Sequence, residues 1–200
     1  MTMTNKHFLS RGLMAAALWL SVAGVHAAQP AAAEEPSTLI LSDTLNYDDV
    51  KKESVFSGNV VLTRGDMTLH ADNVTARQLP DGTQQGVATA EGGNMVRIRQ
   101  ERPETFETIE GVGKRAEYDD SKGEFVLIGQ AVVTRMVCGK PFDTIRGERV
   151  RYNDKNGTYQ AQGGANSAAP GGRVRSVAEP RAKSDAAMAA CRKNQGKAAQ

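Results

Sequence analysis

The sequence predicts an all-β fold, and three observations carry that expectation. Short apolar runs alternate with turn clusters from Thr38 to Ala165, at spacings of roughly eight to twelve residues, as in a sandwich, roll or barrel. No window between residues 38 and 165 shows the 3.6-residue period of an amphipathic helix. The strand pattern also repeats. Tyr47-Asp48-Asp49 leads to Phe56-Ser57-Gly58-Asn59-Val60-Val61-Leu62, and Tyr118-Asp119-Asp120 leads to Leu127-Ile128-Gly129-Gln130-Ala131-Val132-Val133. A weaker copy runs from Tyr152-Asn153-Asp154 to Gly163-Gly164-Ala165, and in all three the Gly lies eleven residues after the Tyr. Such a period marks stacked units that cannot bury their apolar faces alone, and a stack makes a long surface or trough.

The chain opens with an export signal. Lys6 and Arg11 form a basic start, Leu13 to Val25 is an apolar run of secretory length, and Val25-His26-Ala27 is a small-residue cleavage site, so residues 1–27 read as a signal peptide. A retained membrane anchor is the alternative. No Cys lies just after the cleavage site, which argues against a lipid anchor. Residues 28–37, rich in Ala with Pro30 and Pro36, read as a linker.

From Thr38 the turns punctuate the strands: Asp81-Gly82, Gly92-Gly93, Lys122-Gly123 and Asn156-Gly157, the last suited to a type I′ hairpin. Pro103 and Pro141 belong at strand starts or edges, where a missing N–H does no harm. Alternate strand residues share a face. Counted from the repeat Gly, one face holds Phe56, Val60 and Leu62, then Phe125, Leu127, Ala131 and Val133, then Tyr159, Ala161 and Ala165. Val96 and Ile98 fall in the same phase near Gly92, with Arg97 and Arg99 outward. Val61, Val126, Ile128 and Val132 occupy the opposite face, so burial is not confined to one side. After Ala165 the strands are expected to stop. Residues 166–200 read as a flexible basic tail in which Ser184 can N-cap a short helix ending near Gly196.

Composition narrows the function. Aromatic residues are only 5% of the chain, which favours an open or elongated β-structure over a thick closed core. Cleavage removes Lys6 and Arg11 and no acid, so the formal charge falls from +2 to zero. Residues 171–200 hold seven basic residues against Glu179 and Asp185, which leaves the body at −5. A basic tail on an acidic, exported body is not a nucleic-acid surface. Cys138 and Cys191 either form a disulfide in an oxidising compartment or stay as a buried strand thiol and a free tail thiol. A bridge would close a loop of about fifty residues and stabilise by roughly 3–4 kcal/mol on the chain-entropy model.

No catalytic constellation converges. His70, the sole histidine after cleavage, lies in Leu69-His70-Ala71-Asp72 at strand spacing. Asp119-Asp120-Ser121-Lys122-Gly123 and Asp154-Lys155-Asn156-Gly157 lack the ligand count and closing Glu of a calcium loop, and read as turns whose Asx side chains bond their own backbone. The expectation is a non-enzyme with no metal or cofactor.

Ser42-Asp43-x-Leu45-x-Tyr47, then Phe56-x-Gly58-Asn59-Val60-x-Leu62-Thr63-x-Gly65, then Leu69-x-Ala71-Asp72-x-Val74 resembles the OstA-like family, over about residues 38–165. The second copy keeps the frame less strictly, as Gly129-Gln130-Ala131 and Gly147-Glu148-x-Val150. The resemblance implies a β-jellyroll: twisted antiparallel strands folded into an open V-shaped trough. It further implies a periplasmic lipopolysaccharide carrier that assembles head to tail between inner-membrane LptC-like and outer-membrane LptD-like partners of the same fold. Acyl chains would slide along the apolar inside while the sugars stay in water. The phase-matched residues Phe56, Val60, Leu62, Phe125, Leu127 and Val133 are then the lipid-facing candidates, and the resemblance adds Ile40, Tyr47, Val96, Ile98 and Tyr118. The competing readings are a ligand-free, self-assembling β-solenoid or filament subunit, and an exported hydrolase. The hydrolase lacks an acid–base pair.

Overall fold

Glu53–Arg64, Met67–Gln78, Glu124–Val137 and Lys140–Asn153 are strands too long to stay straight, and each one bends near its middle. They are β3, β4, β9 and β10 of a computed structural model that describes residues 36–153 and 155–198. The signal peptide and nearly all of the linker lie outside those residues. The other strands are β1 (Thr38–Leu41), β2 (Thr44–Asp48), β5 (Gln84–Thr89), β6 (Val96–Arg102), β7 (Glu107–Gly113), β8 (Arg115–Asp119), β11 (Thr158–Gln162) and β12 (Arg175–Val177). One helix, α1 (Arg181–Ala198), follows.

The bends turn one antiparallel sheet into two facing ones. The outer halves of the long strands pair in the order β2-β3-β4-β5-β8-β9-β10-β11. The other halves pair as β1-β3-β4-β6-β7-β9-β10-β12. The corner is written in the backbone. In β3 the register shifts between Ser57 and Val60, where Gly58 and Asn59 have φ of 81° and 46°; in β9, Gly129 and Gln130 have 74° and 51°. Two successive left-handed residues make a bulge that re-aims the strand. The eleven-residue spacing from Tyr to Gly in the sequence is therefore seven residues through the rim turn to the residue opposite the Tyr, then four along the strand to the corner.

The repeat is a structural duplication. β1 and β2 flank β3 as β7 and β8 flank β9, and β5 and β6 follow β4 as β11 and β12 follow β10. Asp43 and Lys114 each donate a backbone N–H to the corner glycine of their repeat, Gly58 and Gly129, at 3.0 and 2.9 Å. Asp72 Oδ2 accepts from Glu91 N at 2.6 Å, and Glu148 Oε2 accepts from Asn166 N at 3.0 Å, at matching corners. The Tyr-Asp-Asp motif recurs for the same reason. Tyr47 and Tyr118 donate to Asp49 and Asp120 at 3.0 and 2.8 Å, while Asp48 and Asp119 accept from turn backbone N–H groups. Asn153 does so for Asn156 N at 3.2 Å. The acidic stretches are thus Asx turns.

The core lies in the vertex, where the sheets converge: Val60, Leu69, Ala71, Val74, Ala88, Val96, Ala116, Leu127, Ala131 and Val150. Side chains there are small because the sheets leave little room. A Cβ on Gly111 would stand 2.9 Å from Leu127 Cδ1. The scarcity of aromatics follows from this shape. The outer face of the first sheet is polar and carries the ion pairs Arg77–Glu53, Arg115–Glu117 and Arg151–Glu124. Val126, on that outer face, is nevertheless only 6% exposed between Glu117 and Arg151.

The all-β jellyroll expectation holds, and four local expectations need correction. Asn156-Gly157 is not a type I′ pair, because only Gly157 has a positive φ, 67°, and the link from Asn153 to Thr158 is longer than two residues. Strands do not stop at Ala165, because β12 pairs with Thr144–Arg146 of β10. The segment after Ala165 is packed rather than loose: Ala168 N donates to Gly147 O at 3.1 Å, and Ala169 is 5% exposed. Ser184 is not the helix N-cap. α1 starts at Arg181, after Pro180, whose fixed φ suits a first turn, and Ser184 Oγ donates back to Arg181 O at 2.9 Å. Cys138 and Cys191 are bridged, with Cα atoms 6.4 Å apart. Cys138 and Gly139 form the two-residue β9–β10 turn with φ of 52° and 74°, the backbone signs of a type I′ hairpin.

Candidate functional site

Cross-strand register lays the inward side chains in continuous rows across both sheets. In the first sheet one row runs Leu45, Phe56, Val74, Ala88, Ala116, Leu127, Val150, Ala161. A second row, nearer the rim, runs Tyr47, Ser54, Ala76, Gly86, Tyr118, Phe125, Tyr152, Tyr159. Its ring pairs Tyr118–Phe125 and Tyr152–Tyr159 have centroids 4.5 and 4.6 Å apart. In the second sheet the inner row is Ile40, Leu62, Leu69, Ile98, Gly111, Val133, Ile145, Ser176. Eight strands at about 4.8 Å make each row on the order of 34 Å long.

Over the first repeat the V holds an open cavity of about 760 Å³ whose walls include Ile40, Tyr47, Phe56, Leu62, Tyr118 and Phe125, all sequence candidates. Leu69, Val74, Ala76, Ala88 and Ala116 complete the apolar wall, while Arg64, Lys52 and Gln100 stand on it as polar lining. Val60, Val96 and Leu127 do not reach the cavity. At 1%, 0% and 6% exposure they are vertex core. Ile98 and Val133 are half-buried and pack on that core.

Over the second repeat the rim of the second sheet is polar. Arg135 donates from Nη1 to Glu107 and from Nε to Asp143, each at 2.6 Å. Burial works against its charge, but the two carboxylates outweigh it and hold the guanidinium pKa above its ordinary value. Tyr159 is pushed above the usual tyrosine pKa, chiefly by burial and then by its neighbour Tyr152.

His70 sits exposed on the outer face of the second sheet, in register with Val61 and Arg97. Among the described residues no three metal-ligating side chains cluster, and no helix is long and apolar enough to cross a membrane.

Among the described residues, the rows end on both sides in strands with one edge unpaired. The upstream edge, β1 and β2, exposes Leu39 (58%), Leu41 (58%) and Leu45 (56%); near the downstream edge Tyr159, Val174 and Val177 are 38–40% exposed. Fold and trough together define an open β-jellyroll whose apolar rows run out to free strands at each end. Residues 39–158 match the family model for LptA/(LptD N-terminal domain) LPS transport protein, and the chain belongs to that family. Among solved structures it is similar to LptH of Pseudomonas aeruginosa, the LptA-homologous periplasmic component of the lipopolysaccharide transport device. The identity is 24% and the TM-score 0.60, over 72% of this chain and 96% of that one. No curated protein matches the sequence.

Proposed function

We propose that this protein carries lipopolysaccharide across the periplasm, with acyl chains along the apolar rows and copies joined head to tail between LptC-like and LptD-like partners. The observation that carries the reading is the set of inner rows, which run beside an open, largely apolar cleft and out to strand edges at both ends. A cleft walled by apolar side chains suits an apolar occupant, because covering that surface removes it from water. That wall favours this reading over a ligand-free filament subunit. Ile40, Tyr47, Phe56, Leu62, Tyr118 and Phe125 are the acyl-chain contacts of this reading, and Ile98 and Val133 continue them downstream. Unpaired edge strands invite strand addition, here as the means of assembly.

The test is capture of lipopolysaccharide by a photo-crosslinking residue placed at Leu62, inside the trough, and at Arg97, on the outer face. Capture at Leu62 and none at Arg97 is expected. Equal capture at both positions, or none at Leu62 in folded protein, would overturn the reading.

A further inference from the structure

α1 takes an unusual place. It runs along the rim of the second sheet, back from β12 toward the β6–β7 turn. Lys183 Nζ stands 5.9 Å from the Phe142 ring centroid on β10, Cys191 is bonded to Cys138 at the β9–β10 turn, and the Arg192 guanidinium stands 5.9 Å from the Phe106 centroid beside β7. Lys183 to Arg192 spans about 14 Å of helix, enough to cross the two strand spacings of about 4.8 Å between β10 and β7.

The helix faces inward. Arg181, Asp185 and Met188 share a cavity of about 410 Å³ with Glu107, Arg135 and Asp143, which lie in the inward phase of their strands. Ser184 is 3% exposed there, and Glu179 N donates to Asp143 Oδ1 at 2.8 Å. The second repeat is therefore roofed at its rim, while the corresponding rim of the first repeat, around Pro36, Arg64 and Met67, borders the open cavity.

We infer that α1 is a lid over the downstream half of the trough, latched by the Cys138–Cys191 bridge. The inference rests on the transport reading above. A lipid whose chains lie in the rows must keep its sugars outside the mouth, in water. Over the first repeat the mouth leaves room for them. Over β7, β9 and β10 the latched helix stands where they must pass. Among strands, α1 packs mainly on β9, and among the described residues two cation–π contacts add to that packing, so the covalent bridge is its strongest tie. The latched protein keeps lipid in the upstream half. Reduction of the bridge by a dithiol, which closes its own disulfide as its two electrons and two protons pass to Cys138 and Cys191, releases α1 and opens the path onward.

The experiment uses the full mature chain with p-benzoylphenylalanine at Phe56 (upstream) or Tyr152 (downstream), with Cys191 intact or as Cys191→Ser, and lipopolysaccharide as probe. With the bridge intact, capture at 56 should exceed capture at 152 by at least about fivefold. Cys191→Ser should raise capture at 152 to the level at 56 and leave 56 unchanged. Equal capture at both positions with the bridge intact overturns the lid. No capture at either position overturns the transport reading instead. Amide hydrogen exchange then judges the latch without lipid. Cys191→Ser should speed exchange over residues 183–194 at least about tenfold while β9 and β10 stay protected. Unchanged protection of α1 overturns the inference.

Discussion

Asp43 and Gly58 meet twice at the corner of the trough. Asp43 N donates to Gly58 O at 3.0 Å, and the Asp43 carboxylate fills the space that a Cβ on Gly58 would occupy. Asn59 Nδ2 then closes the corner on Asp43 Oδ2 at 3.0 Å. Gly82 has a nearly equal φ, 86° against 81°, with open space around its Cα. Gly82→Ala should therefore cost only the backbone term, about 1 kcal/mol. Gly58→Ala should cost that plus displacement of Asp43, about 2–4 kcal/mol in all. Urea denaturation of the two variants checks it, and equal costs would mean that close approach is not why a glycine stands at the corner.

Asp119 gives the acid limb of stability a specific contributor. Lys122 Nζ at 2.7 Å is the main cause of a carboxyl pKa held far below its ordinary value, and Ser121 Oγ at 2.6 Å adds to it. The unfolded chain takes up the proton first as pH falls, near its unperturbed value of about 3.9. The contribution is thus fully present above that value and is lost as pH falls through the lower folded pKa. Asp119→Asn should lower the denaturation midpoint by a constant amount between pH 5 and pH 8, and the gap from the parent should shrink below about pH 4. A gap that widens in acid would reverse the sign of the argument.

Two alanines on neighbouring strands separate packing from path. Both line the cavity, but Ala88 is 3% exposed and packed into the vertex core, whereas Ala76 stands half-buried nearer the rim. Ala88→Leu should overpack the vertex and cost about 1–3 kcal/mol. Ala76→Phe should leave the denaturation midpoint within about 0.5 kcal/mol of the parent, because there is space to receive the ring. It should still reduce lipopolysaccharide capture at Leu62 severalfold. Unchanged capture in a folded Ala76→Phe protein would place the acyl chains elsewhere.

The sequence was most legible where the bulge preserved its phase. In β3 and β9 the inward residues on either side of the corner, Phe56 and Val60 or Leu127 and Ala131, are four apart, so alternate counting from the glycine found Leu62 and Val133 correctly inside. In β4 and β10 the inward residues that face them, Ala71 and Val74 or Gly147 and Val150, are three apart. The phase slips at Asp72-Asn73 and at Glu148-Arg149, and the count from the repeat glycines covers neither β4 nor β10, so it does not place Leu69, Val74, Ile145 or Val150. The repeated acid at the slip, Asp72 and Glu148, was the available signal. Depth was not legible: parity sets a face but not whether Val60 lines a cavity or fills a vertex. The packed tail was hidden because its order depends on a contact between residues 53 apart, Cys138 and Cys191, and on β12, a strand of only three residues.

For the head-to-tail assembly proposed above, the duplication offers a template for the joint between copies. Inside the chain the repeats join where β5 pairs β8, with Gly86 opposite Tyr118, Val87 opposite Glu117 and Ala88 opposite Ala116. β11 is the second repeat's β5: Tyr159, Gln160 and Ala161 continue the rows that Gly86, Val87 and Ala88 belong to. β2 is the first repeat's β8, with Leu45, Asn46 and Tyr47 in the places of Ala116, Glu117 and Tyr118. A joint built like the internal one therefore sets Gln160 opposite Asn46 of the next copy, Tyr159 opposite its Tyr47 and Ala161 opposite its Leu45. The inner rows then run on without a phase change, and β12 meets β1 with Val177 near Leu39, covering apolar surface exposed at each end. Such a contact does not close, so mass should rise with concentration. A photo-crosslinking residue at Gln160 should capture the peptide containing Asn46 of another copy, and Leu45→Lys should abolish both that product and the concentration dependence. A sharp dimer unaffected by dilution, or crosslinks from Gln160 to Gln160, would show a closed two-fold contact and rule out the continuous trough.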